Sequence, residues 1–173
     1  MSSVMTIQRI CKHGEPVLKR PSVPVDYEEL KPRLPGLLKD MWSTMYAAKG
    51  VGLAAPQIGL NIRLAVIDVR PDEKPRQLVL INPEIVSRDG RVEEEEGCLS
   101  LPGLYAKVKR YSRAAIRAVD EKGRPYELSG EGLLARAFQH EIDHLDGKLF
   151  IDHLTLAERL KVARILKDLK LRW

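Results

Sequence analysis

Cysteine is scarce in this chain: its 173 residues include two, Cys11 and Cys98. Two cysteines do not make a disulfide framework, so the fold has to rest on a packed core. A thiol in such a chain reads as a ligand or nucleophile rather than a staple. Long apolar runs are missing too, none approaching the ~20 residues that a bilayer-spanning helix needs. The opening Met1-Ser2-Ser3-Val4-Met5-Thr6 lacks the apolar stretch of a secretory leader. A chain kept in a reducing compartment is therefore expected, the bacterial cytoplasm or an organelle. No repeat, low-complexity tract or linker divides the sequence, and its length suits one domain over 1–173.

What is present is the composition of a globular protein, 44% hydrophobic and 31% charged. The net charge of +5 favours polyanions in general. Neither a membrane nor a specific DNA partner is expected from it. Gly14, Pro16, Pro21 and Pro24 predict an extended wrap over residues 9–25. A helix is predicted next, with Asp26 a candidate cap, Leu34, Leu37, Leu38, Met41 and Met45 at helical spacing, and Gly50 at its end. The small-residue stretch 50–57 predicts a shaped loop. β-type runs follow at 62–69 and 77–81, with shorter ones near Ile85, Lys107, Ile116 and Tyr126. A second helix is expected over about 132–145 and a third, basic one over about 155–171. Strands largely precede the last two helices, which predicts an α+β fold.

The second helix carries the chemistry. His140 and His144 stand four apart, so both imidazoles leave one face and can share a divalent ion, with Glu141 beside them as a proton carrier. At 100° per residue, Leu133, Ala137, His140 and His144 form one stripe. Leu134, Phe138, Ile142 and Leu145 form an adjoining apolar arc, leaving Gln139 and Asp143 for the polar side. A helix buried to that extent needs partners for two imidazoles and a carboxylate, since desolvating them unpaired costs several kcal/mol. A metal partners all three. Asp143 reads instead as an ion-pair partner for a basic strand residue such as Arg110.

Cys98 sits in a Gly-Cys turn after the acidic run 93–96, whose last member, Glu96, is expected to turn inward. A thiolate with two imidazoles suits Fe(II), Zn(II), Co(II) or Ni(II), and three ligands leave a fourth position for water.

Three segments stand in one order: Gly-x-Gly-Leu-Ala-Ala-Pro-Gln at 50–57, Glu-Gly-Cys-Leu-Ser at 96–100 and Gln-His-Glu-x-Asp-His-Leu-Asp-Gly at 139–147. Together they resemble peptide deformylase, the bacterial and organellar enzyme that removes the N-formyl group from nascent proteins. The resemblance extends from Gly14-Glu15-Pro16-Val17-Leu18 to Ile151-Asp152. It implies antiparallel sheets wrapped around a central metal helix, with Cys98, His140 and His144 as ligands and Glu141 as the acid/base. It further implies that Gln57, through its side-chain amide, and Leu99, through its backbone N–H, donate to the formyl oxygen, and that Gly52 binds the substrate backbone. The family's metal is typically Fe2+, with zinc or nickel as substitutes, and metal-bound water or hydroxide is the nucleophile. An apolar subsite for the methionine thioether is expected from Val51, Leu133 and Ala137; simple core packing is the alternative for the last two. The chain departs from some members at Tyr105, where they carry arginine, and at Arg136, where an apolar wall residue is expected.

Two rival readings use the same residues. A zinc endopeptidase would recruit a third ligand downstream, from His153 or Glu158. A basic RNA-binding module would close a structural zinc site with Cys11, His13 or His153 and present Arg159, Lys161, Arg164, Lys167, Lys170 and Arg172. The same basic helix, docked through Leu156, Leu160, Ala163 and Leu166, is read as an accessory surface for the ribosome.

Overall fold

Residues 64–67, Leu-Ala-Val-Ile, are buried at every position. The computed structural model, which describes residues 4–173, shows why. Met1–Ser3, part of the leader argument above, lie outside the described residues. In chain order the elements are α1 (Tyr27–Leu30), α2 (Leu34–Ala47), β1 (Gly52–Ala54), β2 (Leu64–Ile67), β3 (Leu78–Asp89), β4 (Val92–Gly97), β5 (Tyr105–Arg110), β6 (Arg113–Val119), β7 (Pro125–Glu131), α3 (Gly132–Leu145) and α4 (Leu156–Lys170). The main sheet runs β1-β2-β3-β6-β7 and β4-β5 form a separate ribbon; all pairings between these strands are antiparallel.

Leu53, Leu64, Val66 and Ile81 form one core cluster with Leu34, Leu38, Met41 and Met45 of α2. Their alternates, Ala54, Ala65, Ile67 and Leu80, cluster with Phe138, Ile142 and Leu145 of α3. A strand covered on both faces has no polar side to present, hence the unbroken apolar run. Each such Leu, Ile or Met contributes roughly 1.5–3 kcal/mol of transfer free energy. A third cluster, including Leu101, Val108, Phe150 and Leu154, joins the ribbon to α4 through Val162 and Leu166. The result is the predicted α+β architecture, with α3 against the sheet and the ribbon supplying Glu96 and Cys98 at its end.

The helix predicted after Asp26 is divided. The Asp26 carboxylate accepts the N–H groups of Glu28 and Glu29 to cap α1, and α2 begins afresh with Pro35 in its first turn. Proline can open a helix but cannot continue one, because it brings no N–H. The stretch 50–57 is not simply a loop: it contains β1 and a 3-10 turn at Ala55–Ile58. The run near Ile85 belongs to β3, whose register is interrupted by irregularities between Ile81 and Glu84 and between Ile85 and Ser87. On α4 the expected docking face is kept only in part. Leu166 is buried as expected, but Leu156 and Leu160 are 75% and 62% exposed, Ala163 is exposed, and Val162 is buried instead.

α3 has the predicted bounds. Gly147, at φ +74°, follows it, and a Cβ there would lie 2.7 Å from the Lys19 carbonyl oxygen, so the close approach requires glycine. The last carbonyl of the helix, Leu145 O, accepts the Ser22 N–H at 2.8 Å and the Arg63 guanidinium at 3.1 Å. Among the described residues no helix is long and apolar enough to cross a membrane.

Candidate metal centre and its cavity

The ribbon delivers Cys98 directly after β4, where the Leu101 N–H closes a turn onto the Cys98 carbonyl at 2.9 Å. α3 delivers the two histidines. The sulfur lies 3.3 Å from His144 Nε2, and ligand atoms of Cys98, His140 and His144 all fall within 4.8 Å of one another. The two imidazoles meet edge to face, ring centres 5.0 Å apart, and His140 stacks on Phe150. No other group of three such donors occurs among the described residues, and this one excludes Cys11, His13, His153 and Glu158. His153 is held by Asp143 at 2.7 Å, and the Glu158 carboxylate accepts the Thr155 N–H in the cap of α4.

Burial alone raises the Cys98 thiol, but the facing imidazoles of His144 and His140 outweigh it and hold the sulfur at about 5. Burial raises the Glu141 carboxyl above the ordinary carboxylate range. That residue is 4% exposed, and its Oε2 has no hydrogen-bond partner among the described residues. Low-pKa thiol, paired imidazoles and an adjacent unpaired carboxylate oxygen form a donor set that fits a divalent cation.

Behind the ligands lies a buried ionic network. Glu96 Oε1 sits 2.9 Å from His140 Nδ1, which leaves Nε2 of that ring for a ligand. Arg110, 3% exposed, donates to both oxygens of Glu96 and, at 2.5 Å, to Asp143. Burial pushes Glu96 upward, yet His140 and Arg110 more than compensate and bring it to about 2. Glu96 thus turns inward and Asp143 pairs with Arg110, as their sequence context predicts. Gln139 does not face solvent as the helical wheel suggests. It is 6% exposed, donates to the carbonyls of Ala135 and Tyr111, and accepts the Tyr111 N–H.

A cavity of about 740 Å³ opens over the triad, and Val51, Gly52, Gln57, Leu99, Leu133 and Ala137 all line it. The Gln57 side chain is fixed at both ends. Its Oε1 accepts the Ala54 N–H at 3.0 Å, while Nε2 faces Ser100 Oγ at 3.1 Å and the Cys98 sulfur at 3.7 Å. Gly52 lies so near the carboxylate that an added Cβ would fall 2.4 Å from Glu141 Oε1. Val51 and Leu133 are about two-fifths exposed and Ala137 is 5% exposed, so the first two line open space and the third its floor. Sequence reasoning assigned no task to Ser100 or Phe150, and offered His153 only as a metal ligand in the rival readings, not as a partner of Asp143. Ser100 stands inside a recognised segment, but the contacts of the other two depend on tertiary proximity that no spacing encodes.

Residues 7–160 match the family described as polypeptide deformylase. The peptide deformylase of Acidobacterium capsulatum is 50% identical over 167 residues, 96% of this chain and 97% of that protein. Among solved structures, the peptide deformylase from Legionella pneumophila superposes with a TM-score of 0.87 at 48% identity, covering 95% of this chain and 96% of that one. A class I type b peptide deformylase from Acinetobacter baumannii, solved with Met-Ala-Ser bound, gives a TM-score of 0.83 at 33% identity over 87% of this chain and 100% of that one. Likeness over nearly every residue, including the segments that bring the sulfur and the two imidazoles together, means that this chain belongs to the polypeptide deformylase family of metal-dependent hydrolases.

Proposed function

We propose that this protein, acting as one catalytic unit, hydrolyses the N-formyl group from the amino-terminal formylmethionine of newly made chains, with Fe2+ held by Cys98, His140 and His144. The observation that carries this reading is the convergence of those three donors beside the unpaired carboxylate of Glu141 at the floor of an apolar-walled cavity. A divalent ion bound there supplies Lewis-acid polarisation of the formyl carbonyl and a water acidified from 15.7 to roughly 7.

The chain's own groups do the rest. Glu141 takes the proton of the attacking water and returns it to the amine nitrogen as the carbon–nitrogen bond breaks, giving formate and a free amino terminus. The Gln57 amide, locked by Ala54 and Ser100, and the Leu99 N–H donate to the oxygen on which charge develops. Gly52 brings backbone within reach of the substrate chain, and Val51, Leu133 and Ala137 receive the methionine side chain. The Met-Ala-Ser bound to the Acinetobacter relative is a peptide of that form.

Anaerobic purification with metal analysis, followed by assay on a formyl-methionyl tripeptide, tests the proposal. Stoichiometric iron and formate release without internal cleavage is expected. Cleavage inside a longer peptide without formate release would favour the endopeptidase reading.

The place of action follows as the cytoplasm of a bacterium, where formylated chains emerge. Arg159, Lys161, Arg164, Lys167 and Lys170 on α4 make the proposed contact with ribosomal RNA phosphates; all five are exposed. Truncating α4 would remove Val162 and Leu166 and uncover Leu101, Val108, Phe150 and Leu154, on which they pack, so charge replacement is the cleaner test. Exchanging three of these cations for glutamine should weaken co-sedimentation with ribosomes and flatten its salt dependence.

A further inference from the structure

The cavity over the triad has a charge asymmetry that the removal of a neutral formyl group does not use. Arg136 lines it from α3, one turn before His140, and Lys49 lines it from the turn after α2. The Arg136 side chain is half-buried, yet among the described residues its guanidinium makes no hydrogen bond or ion pair. Guanidinium groups removed from bulk water are normally paired, because desolvating an unpaired charge is costly. Of the carboxylates around the same cavity, Glu96 is held by Arg110 and His140, Glu141 is buried beside the donor triad, and Glu95 is exposed with no ion pair among the described residues, while Lys12 adds a third cation to the lining. Tyr105, 65% exposed, also lines the cavity and brings no charge. Cationic field is left over where an entering peptide passes.

We infer that Arg136 is a specificity-determining residue that selects substrates with an acidic side chain in the two positions following formylmethionine. The inference rests on the deformylase reading above. Formylation removes the charge of the amino terminus, so these side chains are the first charges an entering chain brings to the site. Leu133 and Ala137 flank Arg136 by three positions and one on the same helix, so its guanidinium borders the wall proposed for the methionine side chain. A carboxylate placed there gains a bidentate partner that a lysine cannot use.

The test compares the metal-loaded enzyme on amidated formyl-Met-Glu-Ser, formyl-Met-Gln-Ser and formyl-Met-Lys-Ser, and on the same series with the variable residue third. At low salt the best glutamate peptide should exceed its lysine counterpart in kcat/KM by about three- to tenfold, the difference lying in KM. Higher ionic strength should compress the ratio. Arg136→Gln should bring the ratio within about twofold, and Arg136→Lys should retain part of it. An unchanged glutamate-to-lysine ratio in Arg136→Gln, or equal rates on all three side chains in the wild type, would overturn the inference while leaving deformylation intact. Failure of the neutral glutamine peptides to release formate would instead remove the reading on which it rests.

Discussion

Gln57 concentrates the argument at the scale of single residues. Its amide nitrogen is aimed by a fixed carbonyl toward the sulfur and Ser100, at the edge where the formyl oxygen would lie. Gln57→Ala should keep the bound metal, cost about 1–3 kcal/mol of stability by stranding the Ala54 N–H, and lower kcat by ~10²–10³. Metal content, melting temperature and turnover measured on one preparation check all three. Normal turnover would remove Gln57 from the machinery. Residues of this kind were legible in the sequence wherever local spacing fixed the outcome. The four-residue interval between His140 and His144 requires a shared face on any helix, and Glu141 is then adjacent to both. Their supports were legible only in part. Arg110 was an available cation for Asp143, but nothing local predicts that His153 joins the same pair. Gln139 was misassigned because a helical wheel records direction and not what packs there. In the fold that direction meets the backbone of Tyr111.

Elements were legible to the degree that their ends carry their own signals. α3 is bounded by Gly132 and Gly147, both at positive φ, and its extent was predictable. β1 has three residues in a small-residue stretch, and it is a strand only because Gly52, Leu53 and Ala54 pair with Ile67, Val66 and Ala65. On α4 two apolar ridges lie roughly a third of a turn apart at 100° per residue. Leu156 and Leu160 lie on one, Val162 and Leu166 on the other, and propensity does not rank them. The third core cluster decides, since Leu101, Leu154 and Phe150 meet the second ridge.

An element-level prediction comes from β7. Tyr126 Oη donates to the Val79 carbonyl at 2.7 Å, tying the sheet edge to β3, and burial pushes its phenol up to about 12. A tyrosine with its folded-state pKa raised favours the neutral form in the native protein. Its contribution is complete below the unfolded value near 10 and is lost as pH rises through about 12. Tyr126→Phe should therefore lower stability by about 1 kcal/mol at pH 7. The gap from wild type should close between pH 10 and 12, followed by urea unfolding. A gap constant across that range would show that the phenol does not titrate with folding.

At the scale of the whole molecule, the metal site draws on separated parts of the chain. Cys98 leaves the ribbon, while His140 and His144 belong to the helix packed on the main sheet. A cation bound across them favours the folded chain over the unfolded one by RT ln(1 + [L]/Kd), about 2.7 kcal/mol at a hundredfold excess over Kd. Chelation should lower the melting temperature of the wild type in a metal-dependent way. The same treatment should leave His144→Ala unmoved; an equal shift in both would point to binding elsewhere.

The seal on the end of α3 has a consequence for how the protein comes into being. The carbonyl of Leu145 is claimed by Ser22 and Arg63, and the Lys19 carbonyl presses on Gly147, so the far end of the helix bearing His144 is completed by residues made more than eighty positions earlier. During synthesis those early residues wait without their partner, and His144 itself is among the later residues to be made. Half-made copies consequently carry Gly52 and Gln57 but none of the three metal donors, and hydrolytic competence has to wait for the residues made late.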